Sequence, residues 1–443
     1  MRHLTLLIMV ATAACTMFAA TPREQVIGNF DRSASNHYAY PFTADQQIPT
    51  LTATPAGYEA FYIDHYGRHG SRWLTNGKTY ARPIKELRKA KEAGQLNLQG
   101  ELLLSQLERV QQASTKRVGD LSDVGAEQLR AIATRMYHNF PSVFSGDARV
   151  DARSTVVIRC ILSMQNSTSA LSMLNPSLRI TTDASYHDMY YMGWGFGEDT
   201  LANHIRKSVD RITNQQYREH VHPQRFIAQL VNDTAWAAAN LNCQQLMRDV
   251  FDVGGSLQGH HEFDDMSMYH YFTNDEIFEL WRLKNIYWYA HWANAPQSGN
   301  RMPFIERALL RDMIEKADAA IATGERGASL RYGHETCLLP LACLMELDSA
   351  NYSCDDLSQL HEHWQDFNIF PKACNIQMVF YRPVGSTSNN EDDILVKVLL
   401  NEHEAQLPIN DGNAPYCRWS TLKRYYQNKL DTVIDWAAPV VVP

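Results

Sequence analysis

Two arginines and a histidine stand together in the stretch Arg68-His69-Gly70-Ser71-Arg72. A guanidinium presents a planar set of donors that fits phosphate oxygens, and it keeps its charge at any working pH. A neutral imidazole is a competent nucleophile toward phosphorus. The stretch follows an apolar run at residues 60–63, and the ends of strands are where open α/β sheets bind ligands. These residues predict a phosphate site centred on His69. A solvated loop at a strand end is the alternative that they leave open.

Arg159 is a second charged residue that follows a predicted strand. Residues 148–152 have the pattern of a strand, and a helix follows that Thr155 is predicted to cap. Arg159 is then expected about one turn into that helix, close to the positive end of its dipole. Such a position suits an anion site, whereas a surface salt bridge is the simpler alternative.

His334 and Glu335 form the third such place. They follow a predicted strand at 328–332 and precede an apolar helix predicted at 337–347. A single histidine is more often a satisfied core residue than a catalyst. A histidine next to a carboxylate after a strand is harder to explain by packing alone, so both residues are candidates for the site.

The one strongly basic run of the chain follows the first of these segments. It begins at Lys78 and continues through Arg82 and Lys85 into a helix predicted at 83–93. A solvated helix face is the usual explanation of such charges. The alternative is a basic wall beside the phosphate site, which would suit a substrate with several phosphates, and it makes these three residues candidate substrate-binding residues.

Composition limits the remaining possibilities. The chain has 443 residues, 45% hydrophobic and 20% charged, which is enough for a large core and too long for one small domain. Its formal net charge of -8 argues against a nucleic-acid binder. Together with the predicted phosphate site, this charge leads us to expect a small phosphorylated molecule as the binding partner and no nucleic acid. No stable insertion into a membrane is expected, since no stretch after the first twenty residues is long and apolar enough.

The first twenty residues have the pattern of a secretory signal. A short basic start is followed by an apolar run at 4–10 and by small residues that end at Ala20. This pattern predicts export to the periplasm or the extracellular space. A lipoprotein anchor at Cys15 is the less favoured alternative. The eight cysteines are too widely spaced for a zinc pattern, and no metal ligand set is predicted.

Aromatic residues and helical periodicity dominate residues 176–300. This segment is predicted to be a mainly α-helical insertion domain. Residues 21–175 and 301–443 are predicted to form an α/β core, in which the β-rich runs 375–382 and 394–400 form an antiparallel hairpin.

With Arg68-His69-Gly70-x-Arg72, Arg159 and His334-Glu335 in this order, the chain resembles the histidine acid phosphatases, the second branch of the histidine phosphatase superfamily. The resemblance covers most of the chain. Residues 333–340, Gly-His-Glu-Thr-Cys-Leu-Leu-Pro, look most like the multiple inositol polyphosphate phosphatase subgroup. An Arg-His-Gly motif alone would also admit the phosphoglycerate mutase branch, but the secretory signal and the helical insertion argue against that branch.

The sequence departs from the family pattern at two places. Leu74 replaces the proline of the motif Arg-His-Gly-x-Arg-x-Pro. Glu335 aligns with the acidic residue that many members carry after the histidine, whereas Thr336 falls where the inositol-phosphatase subgroup carries its glutamate. We therefore assign the proton donor to Glu335.

The resemblance implies a central mixed sheet flanked by helices and a two-step hydrolysis of phosphomonoesters without metal or cofactor. In it His69 would be the nucleophile and Glu335 the proton donor. The phosphoryl oxygens would be bound by the remaining motif residues, Arg68, Arg72, Arg159 and His334. Inositol polyphosphates such as phytate are the expected substrates. A broad acid phosphatase acting on sugar phosphates and an inactive phosphate-binding relative are the alternatives.

Overall fold

The structure, a computed structural model, describes residues 20–42, 50–193, 195–386 and 390–440. The predicted signal segment, including Cys15, lies outside the described residues except for Ala20. The expected fold class is confirmed, since a mixed β-sheet forms the centre of the molecule and helices cover both of its faces.

The sheet has the strand order β3-β2-β4-β1-β5-β6-β7, and β8 pairs with β6. Strands β1 to β4 are mutually parallel, whereas β5, β6 and β7 run antiparallel to their neighbours, so the predicted hairpin of β5 and β6 is confirmed. The strand bounds are β1 Tyr58–Arg68, β2 Arg149–Ser154, β3 Arg179–Asp183, β4 Gly327–Gly333, β5 Asn375–Pro383, β6 Leu395–Leu400, β7 His403–Glu404 and β8 Cys417–Arg418.

The parallel strands β1, β2 and β4 end at the same edge of the sheet. Arg68 pairs with Gly333 across β1 and β4, and Ser154 pairs with Tyr332 across β2 and β4. Because the carboxyl ends of parallel strands lie side by side, the three predicted site segments all start from this edge.

The α-helices are α1 Pro22–Gly28, α2 Gly77–Glu92, α3 Leu98–Ala113, α4 Asp123–Asn139, α5 Ile158–Leu174, α6 Met189–Met192, α7 Asn203–His220, α8 Gln224–Ala228, α9 Thr234–Asn240, α10 Cys243–Ser256, α11 Asn274–Trp292, α12 Arg307–Thr323, α13 Glu335–Leu344, α14 Leu360–His363, α15 Asp366–Ile369 and α16 Trp419–Leu430. Two 3-10 segments also bear on the site and its supports, Phe30–His37 and Met302–Glu306. No helix among the described residues is long and apolar enough to cross a membrane.

Alternating side chains of the strands divide the core into two halves. On β5, Ile376 and Phe380 face the apolar cluster that contains α12, α13 and α16, whereas Val379 and Tyr381 face the cluster that contains α4 and α5. A third cluster is helical and joins α2 and α3 to helices α8 to α11. The proposed division at residues 176 and 300 stays a prediction. The edge strand β3 lies beyond residue 176, and α2 and α3 pack with helices of the predicted insertion.

Two helices, α2 and α5, begin at other residues than the sequence predicts. Helix α2 starts at Gly77, where the Asn76 side chain accepts from the Lys78 amide, so Pro83 lies inside the helix. Helix α5 has Val157 at its N-cap without a side-chain cap bond, so the expectation that Thr155 caps it is wrong. Helix α12 starts after a 3-10 turn that contains Pro303.

Candidate active site

The ends of β1 and β4 bring His69 and His334 together. The His69 amide donates to the Gly333 carbonyl oxygen at 3.0 Å, and the Arg68 amide donates to the Cys374 carbonyl oxygen at 2.8 Å. These bonds continue the strand pairing by one residue past β1. The two imidazole rings meet edge to face, with their centroids 5.6 Å apart. The first and third segments predicted from the sequence thus form one site.

A close contact between two glycines holds the turn after His69 in place. A Cβ atom on Gly70 would lie 2.3 Å from the Gly125 carbonyl oxygen, and one on Gly125 would lie 2.1 Å from the Ser71 carbonyl oxygen. Side chains are therefore sterically excluded at both positions. The Ser122 amide donates to the Ser71 carbonyl oxygen at 2.9 Å, and the Ser122 side chain caps α4 by accepting from the Gly125 amide. The start of α4 thus fixes the turn that carries His69.

His69 is held as a neutral imidazole with a free ring nitrogen. Its Nδ1 lies 2.9 Å from the Gly70 carbonyl oxygen. Because a carbonyl oxygen can only accept, Nδ1 carries the proton and Nε2 keeps its lone pair. The pKa of His69 lies well below its ordinary value because of burial and because of the nearby charges of Lys372, Arg159, Arg68 and Arg72. The ring therefore stays a nucleophile in acidic solution.

The Glu335 carboxylate faces this free nitrogen. Its Oε2 lies 3.8 Å from His69 Nε2, and its Oε1 lies 2.9 Å from Arg68 Nη2. Burial alone would raise the pKa of Glu335, but the charges of Arg68, Lys372 and Arg72 outweigh it and lower the pKa below the ordinary value. With no ligand bound, Glu335 is therefore a carboxylate. The residue at 335 thus faces the histidine, and its role as proton donor stays a prediction.

Arg68 and Arg72 are buried and fixed by backbone carbonyl groups. Arg68 donates to the carbonyl oxygens of Phe370 and Asn36, both at 2.8 Å, and Arg72 donates to the Trp73 carbonyl oxygen at 2.9 Å. Burial lowers the pKa of Arg72 to about 10, and repulsion from other guanidiniums acts in the same direction. Both side chains are thus held as rigid cations beside His69 and Glu335.

Several donors of the site have no hydrogen-bond partner within the described residues. They are the Nε atoms of Arg68, Arg72 and Arg159 and the Nδ1 atom of His334. Buried polar groups are nearly always bonded in folded proteins. A cluster of such donors with net positive charge has the chemistry that an anion-binding site requires.

Arg159 joins the site from α5. It is the second residue of that helix, and its Nη1 would lie 3.6 Å from a Cβ atom placed on Gly119. Its charge contributes to the lowered pKa of both His69 and His334. The anion-site interpretation of Arg159 therefore agrees with where the structure places it, although its contact with a ligand stays a prediction.

His334 is the second imidazole of the site. Burial lowers its pKa to about 3, with further contributions from the charges of Arg159 and Arg68. Its backbone amide donates to the Tyr66 hydroxyl at 3.1 Å, and its Nε2 lies 3.7 Å from the Cys160 sulfur. His334 is therefore neutral and can donate one hydrogen bond to a bound anion.

The basic run on α2 lies mostly away from this centre. Arg82 forms two hydrogen bonds with Asp249 of α10, at 2.7 and 2.5 Å, whereas Lys78 and Lys85 are exposed. Further along α2, Arg88 pairs with Glu108 and Lys91 with Glu101. A role in substrate binding for Lys78, Arg82 and Lys85 stays a prediction. Gly119 lies close both to Arg159 and to Thr75, which stands just before α2, so the start of α2 is the end of that helix nearer to Arg159. Lys78 lies at this end.

The leucine that replaces the family's proline has a local role. The Leu74 amide donates to the Tyr80 hydroxyl at 2.8 Å. A proline could not make this bond because it has no N–H. The bond ties the end of the turn that carries His69 to α2.

Two parts of the site were not predicted from the sequence. Asn36 accepts from Arg68 through its carbonyl oxygen, and its side chain lies 3.4 Å from Glu335 Oε1. Lys372 is buried, and its charge acts on both His69 and Glu335. Neither residue lies in a recognisable motif. A lysine three residues before an apolar strand, as at 372, was the one local signal.

Metal ligands do not cluster in the part of the chain that the structure describes. No group of three or more His, Cys, Asp or Glu side chains there could hold a metal ion. The seven cysteines within the described ranges are all free.

No protein-family model matches the chain, and no curated protein matches it either. Solved structures do. The multiple inositol polyphosphate phosphatase of Bifidobacterium longum, in its complex with inositol hexasulfate, superimposes with a TM-score of 0.71 at 16% identity, over 88% of this chain and 97% of that chain. The phytase of D. castellii superimposes with a TM-score of 0.67 at 14% identity, over 95% of this chain and 90% of that chain. A phytase of Hafnia alvei superimposes with a TM-score of 0.51 at 12% identity, over 85% of this chain and 98% of that chain. At these identities the likeness establishes that the chain has the fold of these phosphatases.

Proposed function

We propose that this protein is a histidine acid phosphatase that hydrolyses phosphomonoesters through a phosphohistidine intermediate, with inositol polyphosphates such as phytate as its substrates. The observation that carries the proposal is the pair of His69 and Glu335. A neutral, buried imidazole with a free lone pair faces a carboxylate at 3.8 Å, and guanidiniums surround both groups. A nucleophile, a group that can carry a proton to the leaving oxygen, and fixed positive charge are the groups that in-line transfer of a phosphoryl group uses.

In the first step the lone pair on His69 Nε2 attacks phosphorus. The P–N bond forms while the P–O bond to the leaving group breaks. Arg68, Arg72, Arg159 and His334 bind the phosphoryl oxygens and neutralise the charge that spreads over them. The departing alkoxide takes a proton from the Glu335 carboxyl and leaves as an alcohol.

In the second step water attacks phosphorus and the P–N bond breaks. The Glu335 carboxylate takes a proton from that water, so the carboxyl is regenerated. Inorganic phosphate leaves, and His69 recovers its lone pair. Positioning and electrostatics carry both steps, and the guanidiniums supply the positive charge that they need.

Glu335 must gain a proton before it can act as an acid. In the free protein the neighbouring cations keep its pKa below the ordinary value. A bound phosphate brings negative charge close to the carboxyl, which raises the carboxyl pKa. The proton is then shared between Glu335 and the phosphate group. We therefore expect an acidic to neutral pH optimum.

Inositol polyphosphates are proposed as substrates on three grounds. Residues 333–340 resemble the subgroup that acts on them. The fold is that of proteins named as phytases and as a multiple inositol polyphosphate phosphatase. Exposed Lys78 and Lys85 add positive charge along α2, and Lys78 lies at the end of that helix nearer to Arg159, where a further phosphate of such a substrate would meet it.

Phosphate release from two substrates tests the proposal. Purified protein is given phytate and, separately, a sugar monophosphate such as glucose 6-phosphate at equal concentrations. We expect a higher kcat/KM for phytate and no turnover of either substrate by His69→Ala. A preference for the sugar phosphate would favour the broad acid phosphatase. Absence of any phosphate release, with p-nitrophenyl phosphate also left intact, would favour the inactive relative.

We also propose that the protein is exported through its N-terminal segment. The basic and apolar pattern of residues 1–20 supports this. The mature N-terminus, determined by mass spectrometry on protein from the producing cell, tests it. A start close to residue 21 agrees with a cleaved signal, and a lipid-modified Cys15 would indicate the lipoprotein alternative.

A further inference from the structure

Lys372 is a buried cation that the mechanism above does not use. Its exposed fraction is 2%, and its Nζ atom has no hydrogen-bond partner among the residues that the structure describes. A buried ammonium without a partner is strongly unfavourable, so its presence calls for an explanation.

Lys397 shows how this fold treats a lysine that serves structure. It is as buried as Lys372, yet its Nζ donates to the Thr52 carbonyl oxygen at 3.0 Å and to Glu404 at 2.9 Å. Arg331, a third buried cation, is likewise paired with Asp64 and Asp312. These buried cations have carboxylate partners at close range, and buried Arg301 donates to the backbone carbonyl oxygens of Asp435 and Ala438, whereas Lys372 Nζ has no partner of either kind.

The backbone fixes Lys372 beside the nucleophile. The Ala373 amide donates to the His69 carbonyl oxygen at 3.0 Å, and the Lys372 amide donates to the Tyr38 carbonyl oxygen at 2.7 Å. Lys372 therefore directly precedes the residue that hydrogen-bonds to the His69 backbone. Its own backbone amide is fixed by Tyr38.

The charged and titratable groups that act on Lys372, or on which it acts, come from every element around the site. They are Arg68, His69 and Arg72 at the end of β1, Arg159 on α5, Glu335 on α13, His37 on the 3-10 segment and His260. Positive charge dominates this set, and repulsion from it, together with burial, lowers the pKa of Lys372 well below the ordinary value. An anion in the site would reverse this balance.

We propose that Lys372 is a further phosphate-binding residue of this site, whose ammonium donates to oxygens of the phosphoryl group that His69 faces. The proposal rests on the proposed function and adds a cation to its binding set. In the free protein the Lys372 ammonium has no hydrogen-bond partner, which is unfavourable. A bound phosphate then supplies that partner.

The variant Lys372→Met tests this, because it keeps the length of the side chain and removes the charge. Inorganic phosphate is the probe, and its Kd is measured by calorimetry at pH 5. A charge-assisted hydrogen bond predicts a Kd that is weaker by about 10- to 100-fold. The melting temperature without phosphate should stay the same or rise, since an unpaired buried cation has been removed.

Lys397→Met is the matched control, since it removes an equally buried lysine away from His69. It should leave the Kd for phosphate within about twofold of the wild type and lower the melting temperature, because Glu404 loses its partner. If Lys372→Met does not fold, Lys372→Gln is measured in the same way.

A Kd within twofold of the wild type in the Lys372 variants would overturn the proposal. Weaker binding together with a lower melting temperature in both variants would overturn it too, because lost packing would then explain the loss. Phosphate binding needs no turnover, so this result is distinct from a failure of the proposed function. That failure would be a wild-type protein that binds phosphate but hydrolyses no phosphomonoester.

Discussion

His69 Nε2 lies 3.8 Å from Glu335 Oε2, although the two residues follow different strands and come from opposite halves of the chain. The distance follows from the parallel pairing of β1 with β4, whose carboxyl ends meet in register. In the proposed mechanism the first residue attacks phosphorus and the second protonates the leaving group.

The contact between α4 and the turn that carries His69 predicts that Gly125→Ala severely lowers turnover. The new Cβ would lie 2.1 Å from the Ser71 carbonyl oxygen, so the turn has to move. A displacement of about 1 Å at reacting groups lowers turnover by about 100-fold. Kinetics with p-nitrophenyl phosphate and the melting temperature check this. Gly28→Ala is the control, since nothing lies within 4 Å of its Cβ position. Equal activity of both variants would contradict the role of the contact.

The neutral state of His69 predicts an altered pH profile for Arg159→Gln. The Arg159 charge helps to hold the pKa of His69 well below its ordinary value. Without it the pKa of His69 rises, and protonation removes the nucleophile at a higher pH than in the wild type. We therefore expect the acidic limb of kcat/KM to move to higher pH, in addition to a general loss of phosphate binding. A uniform loss at every pH, with the limb unmoved, would argue against this electrostatic coupling.

Much of the site follows from the sequence because its residues are local to strand ends. An apolar strand, a glycine and charged residues identify the turns after β1 and β4. Parallel pairing then brings the two turns together.

The rest depends on contacts that no local pattern encodes. Asn36 and Lys372 reach His69 and Glu335 because backbone bonds between distant segments place them there. The charges on α2 find partners on α3 and α10, so a run that is basic in sequence is partly neutralised in space. Thr155 fails as a cap because β2 and the turn after it extend the chain to Val157 before α5 begins.

The buried His65 predicts that the free energy of unfolding falls in acid. Burial lowers the pKa of His65 to about 3, and the charge of Arg331 acts in the same direction. An unfolded chain binds that proton below about pH 6.5, and the folded chain does not until about pH 3. The folded state is therefore favoured above pH 6.5 and loses about 1.4 kcal/mol per pH unit from this group as the pH falls.

The variant His65→Gln isolates that contribution. Unfolding by urea between pH 5.5 and 4 should show a slope smaller than that of the wild type by about 1.4 kcal/mol per pH unit. The absolute stability of the variant does not enter this comparison. An unchanged slope would show that His65 is not held neutral in the folded protein.

The exposed Lys78 predicts an effect that depends on the substrate. If further phosphates of phytate reach the start of α2, Lys78→Gln should raise the KM for phytate by about threefold and leave p-nitrophenyl phosphate unaffected, since surface charges act weakly. Lys91→Gln at the other end of α2, where Lys91 pairs with Glu101, is the matched control and should change neither value. An equal change for both substrates would mean that Lys78 does not sense the additional phosphates.

The phosphohistidine itself is the most direct test of the account. Glu335→Gln should still release p-nitrophenol, a leaving group that needs little protonation, but it lacks the base that activates water for the second step. Rapid mixing with p-nitrophenyl phosphate, an alkaline quench and peptide mapping by mass spectrometry follow the bound phosphoryl group. The account predicts a burst of p-nitrophenol equivalent to one turnover per site and a phosphoryl group on His69. Release of p-nitrophenol and phosphate together from the first turnover, or a phosphoryl group on another residue, would contradict it.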